Sequence, residues 1–145
     1  MKMNNSVRNA LGIIAGIIVG SVVNGGLIAI GPMIVPPPEG VDMSTADGMA
    51  AGMHLLGPQN FIVPFLAHAL GTFAGALAAY FVAASNKSFA VYFVGGFYLI
   101  AGIVVSTMIP APVWFIALDL IVAYLPMAWL ALTLGISVKP MPQVE

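Results

Sequence analysis

Four stretches of nearly unbroken apolar residues fill most of this chain, over positions 10–35, 61–84, 89–109 and 113–138. A helix rises about 1.5 Å per residue, so each stretch is long enough to cross the ~30 Å hydrocarbon layer of a bilayer. Two of the intervening breaks are very short. Ser85-Asn86-Lys87-Ser88 and Pro110-Ala111-Pro112 leave room for nothing but antiparallel turns. The pattern predicts an all-α, polytopic membrane four-helix bundle, with positions 1–145 forming a single transmembrane domain.

The third break, 36–60, is longer and has structure of its own. Gly31, Pro32 and Pro36-Pro37-Pro38 are expected to end the first helix in stiff, extended backbone, because proline donates no amide and disfavours helix in the residue before it. Ser44 stands three residues before Asp47, a capping-box spacing, and Gly57-Pro58 supplies a stop. Between them a helix of about three turns is expected, with Met49, Met53 and Leu56 on one face and Asp47 and His54 on another. Such a short amphipathic helix lies flat on the outer surface, methionine side down, as a lid. A re-entrant hairpin would submerge Asp47 at high cost. Glu39, Asp42 and His54 are the lid side chains able to fold toward the bundle.

Charge then orients the bundle. Lys2, Arg8, Lys87 and Lys139 all fall at ends that alternation puts on one side, so both termini are expected in the cytoplasm. Glu39, Asp42 and Asp47 fall on the opposite side, Glu145 in the inner tail, and Asp119 within the fourth helix. The first apolar run is too long for the 7–15 residues of a usual signal-peptide core and ends in no small-x-small site, so it is expected to stay as a membrane helix. Composition agrees: 61% apolar residues, 6% charged residues and a mean hydropathy of +1.06 are far from the roughly 25% charged residues of a soluble domain. Membrane lipid is the implied partner. Nucleic acid is not, since the net charge is −1 and no basic patch exists. Without cysteine there are no disulfides, thiolate nucleophiles, iron–sulfur clusters or cysteine zinc sites.

Small residues specify packing. Gly12, Gly16 and Gly20 form one stripe on the first helix, and Ala67, Gly71, Gly75 and Ala79 form another on the second. Gly95, Gly96 and Gly102 give the third helix a weaker version. Two uses are open: close packing inside one bundle, or a homo-oligomer contact through Gly12, Gly16, Gly20 or Gly71, Gly75. Trp114, Tyr80, Tyr92 and Trp129 fit interfacial belts.

Candidate chemistry rests on polar residues at similar depth. His68 lies about 10 Å, Asp119 about 9 Å and Asn24 about 15 Å below the outer ends of their helices. Thr72 follows His68 by one turn, Ser106 and Thr107 lie near the outer end of the third helix, and Tyr124 follows Asp119. Pro126 is expected to bend the fourth helix just below Asp119, and Pro64 to do the same one turn above His68. A carboxylate facing lipid costs roughly 2.5–3.5 kcal/mol on the gentlest insertion scale, which makes His68 the obvious partner of Asp119.

Three uses of this set follow. It is a hydrogen-bond network fixing helix register in a non-catalytic organiser or accessory subunit, or a site for a proton, ion or small polar solute in a channel or carrier, built on His68, Asp119, Asn24, Thr72, Ser106 and Tyr124. The third is a hydrolase, with Ser106, Thr107 or Thr72 as nucleophile beside a His–Asp pair. A zinc site would be short of ligands, and neither HExxH nor a phosphate loop occurs, so no metal or cofactor is implied. The two helix pairs show no inverted repeat of the kind common in carriers.

The segments Pro36-Pro37-Pro38-Glu39-Gly40-Val41-Asp42, Phe65-Leu66-Ala67-His68-Ala69-Leu70-Gly71-Thr72, Pro110-Ala111-Pro112-Val113-Trp114-Phe115, Leu118-Asp119-Leu120 and Ala123-Tyr124-Leu125-Pro126-Met127 resemble those of small four-helix integral membrane proteins of bacteria. The resemblance covers nearly the whole chain. It implies a bacterial inner-membrane setting and no particular activity.

Overall fold

The computed structural model describes residues 3–141; Lys2 and Glu145 lie outside that range. Six helices follow in order: α1 (Asn5–Ile34), α2 (Ala46–Gly52), α3 (Ile62–Val82), α4 (Lys87–Met108), α5 (Val113–Val122) and α6 (Leu125–Val138). Short 3₁₀ turns at Met53–Leu55 and Pro58–Phe61 join α2 to α3. Four helical units, with α5 and α6 counted as one, are long and apolar enough to cross a membrane. Their outward surface agrees: Met33 is 83% exposed and Val113 82%, which water would penalise and acyl chains would not.

Helix ends follow local chemistry. α1 starts at Asn5, earlier than its apolar run, because the Asn4 side chain accepts a hydrogen bond from the Ser6 amide. Pro32, expected to help end that helix, lies inside it. An apolar helix tolerates the lost bond, and the stop comes at Val35, whose backbone is extended ahead of Pro36. Pro64 gives no kink above His68, since it sits in the first turn of α3, where no intrahelical partner awaits its missing amide. Pro126 does interrupt its helix. α5 ends at Val122 and α6 begins at Leu125, with Tyr124 at φ −116°, ψ −82° between them.

α3 is the central helix, touching α1, α4, α5 and α6. Its small stripe meets that of α1. A Cβ added at Gly16 would lie 2.7 Å from the Gly75 carbonyl oxygen, and one at Gly75 would lie 2.5 Å from that of Gly16. The backbones therefore touch directly, with Cα–H groups facing carbonyls. Gly12, Gly16, Gly20, Gly71 and Gly75 are all buried within the chain, where they bring α1 and α3 together. On the other side of α3, alanines at 76, 128 and 131 pack with Val91 and Tyr80.

Arg8, Lys87 and Lys139 gather at one end of the bundle. The Arg8 guanidinium donates to the Val82 carbonyl at 3.4 Å, and the buried Lys87 ammonium donates to the Tyr80 carbonyl at 2.7 Å. Both serve carbonyls that the last turn of α3 leaves without intrahelical partners. Tyr80 is not an interfacial anchor: it is fully buried, with its hydroxyl donating to the Lys139 carbonyl at 2.7 Å. Asn9 accepts from the amides of Ala84 and Ser85, and Asn86 takes the left-handed conformation that lets α3 turn tightly into α4. Trp114, Tyr92 and Trp129 are exposed on the bundle surface.

At the opposite end α2 lies over the bundle. Its cap is Thr45, whose hydroxyl accepts from the Gly48 amide at 3.0 Å, and not Ser44. Ser44 is occupied by Asp42, which accepts from both its amide (2.8 Å) and its hydroxyl (2.6 Å). Asn60 ties the segment down, accepting from the Gly57 amide and donating to the Pro36 carbonyl.

Candidate functional site

His68 and Asp119 meet. Asp119 reaches His68 Nδ1 through Oδ1 at 2.8 Å, and its Oδ2 accepts from the Tyr124 hydroxyl at 2.8 Å. The His68 and Tyr124 rings stack at 25° with centroids 6.0 Å apart. Three elements supply these groups: α3 for the imidazole, α5 for the carboxylate and the interruption before α6 for the phenol. Gly102 on α4 makes the last position available, since any side chain there would collide with the Tyr124 ring.

Asp119 is nearly buried and His68 partly exposed, with side-chain exposures of 7% and 21%. A carboxylate that accepts from both Nδ1–H and Tyr124 O–H fixes the tautomer of a neutral imidazole, leaving its Nε2 lone pair free. Among the described residues, Nε2 has no protein partner. Asp119 and Tyr124 are thus positioning residues, and His68 is the group that can meet something else.

What it would meet lies in a cavity of about 350 Å³. The volume falls toward the lower end of the ~300–1,000 Å³ typical of small-molecule pockets. Walls come from Asn24 and Ile28 of α1, Val63 and Pro64 of α3, Tyr98 and Val105 of α4, and Phe115 and Leu120 of α5. Met43, Met49, Met53 and Leu56 form the roof. The cavity exists because α1 and α4 part company: Tyr98 donates to the Ile17 carbonyl at 2.6 Å and lies 3.1 Å from Ser21 Oγ, whereas Asn24 and Gly31 beyond that point pack on Gly71 and Val63 of α3.

The other expected site residues divide clearly. Asn24 lines the cavity, and its amide makes no protein hydrogen bond among the described residues. Ser106 also lines it, but its hydroxyl donates to the Ile103 carbonyl of its own helix at 2.7 Å; Thr107 does the same to Val104. Thr72 is buried away from the cavity with no partner for its hydroxyl. Among the described residues, no hydroxyl side chain is hydrogen-bonded to His68. Glu39, Asp42 and His54 are exposed and line no part of the cavity; the lid turns its methionines inward instead. Sequence spacing carried that signal in Met49, Met53 and Leu56. Among the described residues, no three His, Asp or Glu side chains gather as a metal-binding set.

Lid, triad and splayed helices border one cavity, with His68 and Asp119 among its polar lining. Set against models of protein families, curated proteins and solved protein structures, the chain matches none.

Proposed function

We propose that this chain is an integral protein of the bacterial cytoplasmic membrane that binds a small molecule in the cavity beneath α2, with His68 as the polar anchor and Asn24 as a second contact. Clustering of Arg8, Lys87 and Lys139 at one end supports cytoplasmic termini and an outward-facing lid. The observation that carries the reading is the apolar cavity ending on an imidazole whose Nε2 is free while a buried carboxylate and a phenol hold its other nitrogen.

Binding fits better than conduction. Between the triad and the basic end, Ala76, Tyr80, Val91, Ala128 and Ala131 are all fully buried and close the bundle axis. An ion or proton path along that axis would need polar lining, and these side chains offer one hydroxyl already bonded to Lys139.

A second reading has its own support. Asp119 joins α3 to both sides of the α5–α6 interruption, as a register lock in a non-catalytic organiser would. Native mass spectrometry of protein extracted from its own membranes separates the two. The binding reading expects a co-purifying small molecule, lost in His68→Asn, which removes Nε2 but keeps an amide donor for Asp119 in the place of Nδ1, while the bundle keeps its unfolding midpoint. An absent ligand with a lowered midpoint would favour the organiser and overturn the binding reading.

A further inference from the structure

Resting on that binding reading, we infer that the ligand is a single-chain amphiphile with an uncharged hydroxyl head, admitted sideways from the hydrocarbon layer between α1 and α4. The opening is built from a specific divergence. Ser21 and Tyr98 are the last pair hydrogen-bonded across α1 and α4. Beyond them Gly25 and Gly26 have nothing within 4 Å of the position a Cβ would take. Ile28 and Val105 line the cavity and are also 43% and 44% exposed, so the same side chains border both the pocket and the lipid-facing surface. Ala101, exposed and cavity-lining, leaves the gap without bulk.

Two other approaches are obstructed. The methionine face of the lid covers the end of the bundle. The α3–α5 side is filled by Phe61, whose ring lies 4.8 Å from Phe115 and 5.5 Å from Trp114.

Head chemistry follows from the polar end. With Nδ1–H donating to Asp119, the neutral form of His68 offers an acceptor at Nε2, which matches a hydroxyl donor, and the Asn24 amide on the cavity wall is a second polar group. Among the described residues, no lysine or arginine lines the cavity, while Asp119 does. A carboxylate or phosphate head would be buried beside a like charge without a counterion, at a cost that a hydroxyl avoids. The flexible methionine wall adapts to chains of varied shape, and a tail longer than the cavity leaves through the gap into the bilayer.

The test uses the full chain in phosphatidylcholine vesicles with hexadecanol bearing a diazirine beside its hydroxyl; after photolysis, labelled peptides are mapped by mass spectrometry. Labelling is expected at the His68 and Ala101–Val105 segments. It should fall about tenfold, the effect of 1.4 kcal/mol, when Ala101→Trp fills the gap. Ile103→Trp, on another face of α4, should leave it unchanged. If Ala101→Trp fails to fold, Val105→Trp serves as the block. Hexadecanoate with the same diazirine at alkaline pH should label about tenfold less.

Undiminished labelling in a folded, blocked variant would overturn the lateral route, and equal labelling by the carboxylate would overturn the head assignment. If diazirine-bearing butanol marks the cavity and hexadecanol does not, the lipid-like ligand is wrong and the binding reading survives. If neither marks it, both fall.

Discussion

The Lys87 ammonium sits 2.7 Å from the Tyr80 carbonyl oxygen and 4.5 Å from the centroid of the same residue's ring. With 5% exposure, it is a buried cation serving the end of one helix from the start of the next. Lys87→Met keeps the stem but leaves that carbonyl without its charged donor, so a loss of about 1.5–3 kcal/mol is expected, read from unfolding midpoints in mixed detergent. Lys87→Arg should not fully restore stability, because a planar fork cannot occupy the place of a compact ammonium above the ring. A midpoint unchanged in Lys87→Met would make the contact incidental.

The α1–α3 contact yields a paired prediction. Gly75→Ala puts a methyl 2.5 Å from the Gly16 carbonyl oxygen, backbone that cannot step aside alone, and should cost about 1–3 kcal/mol as the helices separate. Gly25→Ala, on the same α1 but in open space, should be neutral or stabilising by up to about 1 kcal/mol, since alanine is the better helix former. Equal effects in the two variants would remove the argument for direct backbone contact.

Much of this was legible before any coordinates. Hydropathy and length locate the four spans, and because His68 and Asp119 lie at similar depths their meeting could be anticipated from a rise per residue. The ends moved where caps and turns act, as at Asn4 and Pro32. Tyr124 was recognisable as a nearby polar group, but its bond to Asp119 depends on the course of an interrupted helix. Burial of Lys87 was hidden for a related reason: a sequence shows a charge near a span, not the carbonyl that draws it inside. Nor does periodicity reveal that α1 leaves α4 beyond Ser21, which creates the cavity.

Asp42 gives the lid a pH dependence. Its hydrogen bonds from the Ser44 hydroxyl, the Ser44 amide and Thr45 hold its carboxyl below the ordinary value of 3.8. A lowered folded value means the stabilisation is fully present above that ordinary value and fades as pH falls through the lower, folded one. Amide exchange at Ser44 and Gly48 should therefore accelerate below about pH 4, after correction for intrinsic rates. In Asp42→Ala the protection should already be weak at neutral pH and show no acid step. An acid step that persists in that variant would assign it to another group.

The Asp119–Tyr124 bond depends on the interruption between α5 and α6. In a continuous helix, residues five apart point about 140° from one another, since 3.6 residues make a turn, so a phenol at 124 could not reach back to a carboxylate at 119. Here the Ala123 amide makes its helical bond to the Asp119 carbonyl, α6 opens with the Ala128 amide on Tyr124, and Pro126 has no amide with which to bridge them. Tyr124→Phe should cost about 1.5–3 kcal/mol in the native background, the worth of a hydrogen bond to a charged group. Pro126→Ala lets the helix run through, swings the phenol away and should render Tyr124→Phe nearly silent. A double-mutant cycle on unfolding free energies reads this as coupling of about the same size. Additive costs would mean that Tyr124 finds Asp119 without the interruption, and that the proline serves only to bend the helix.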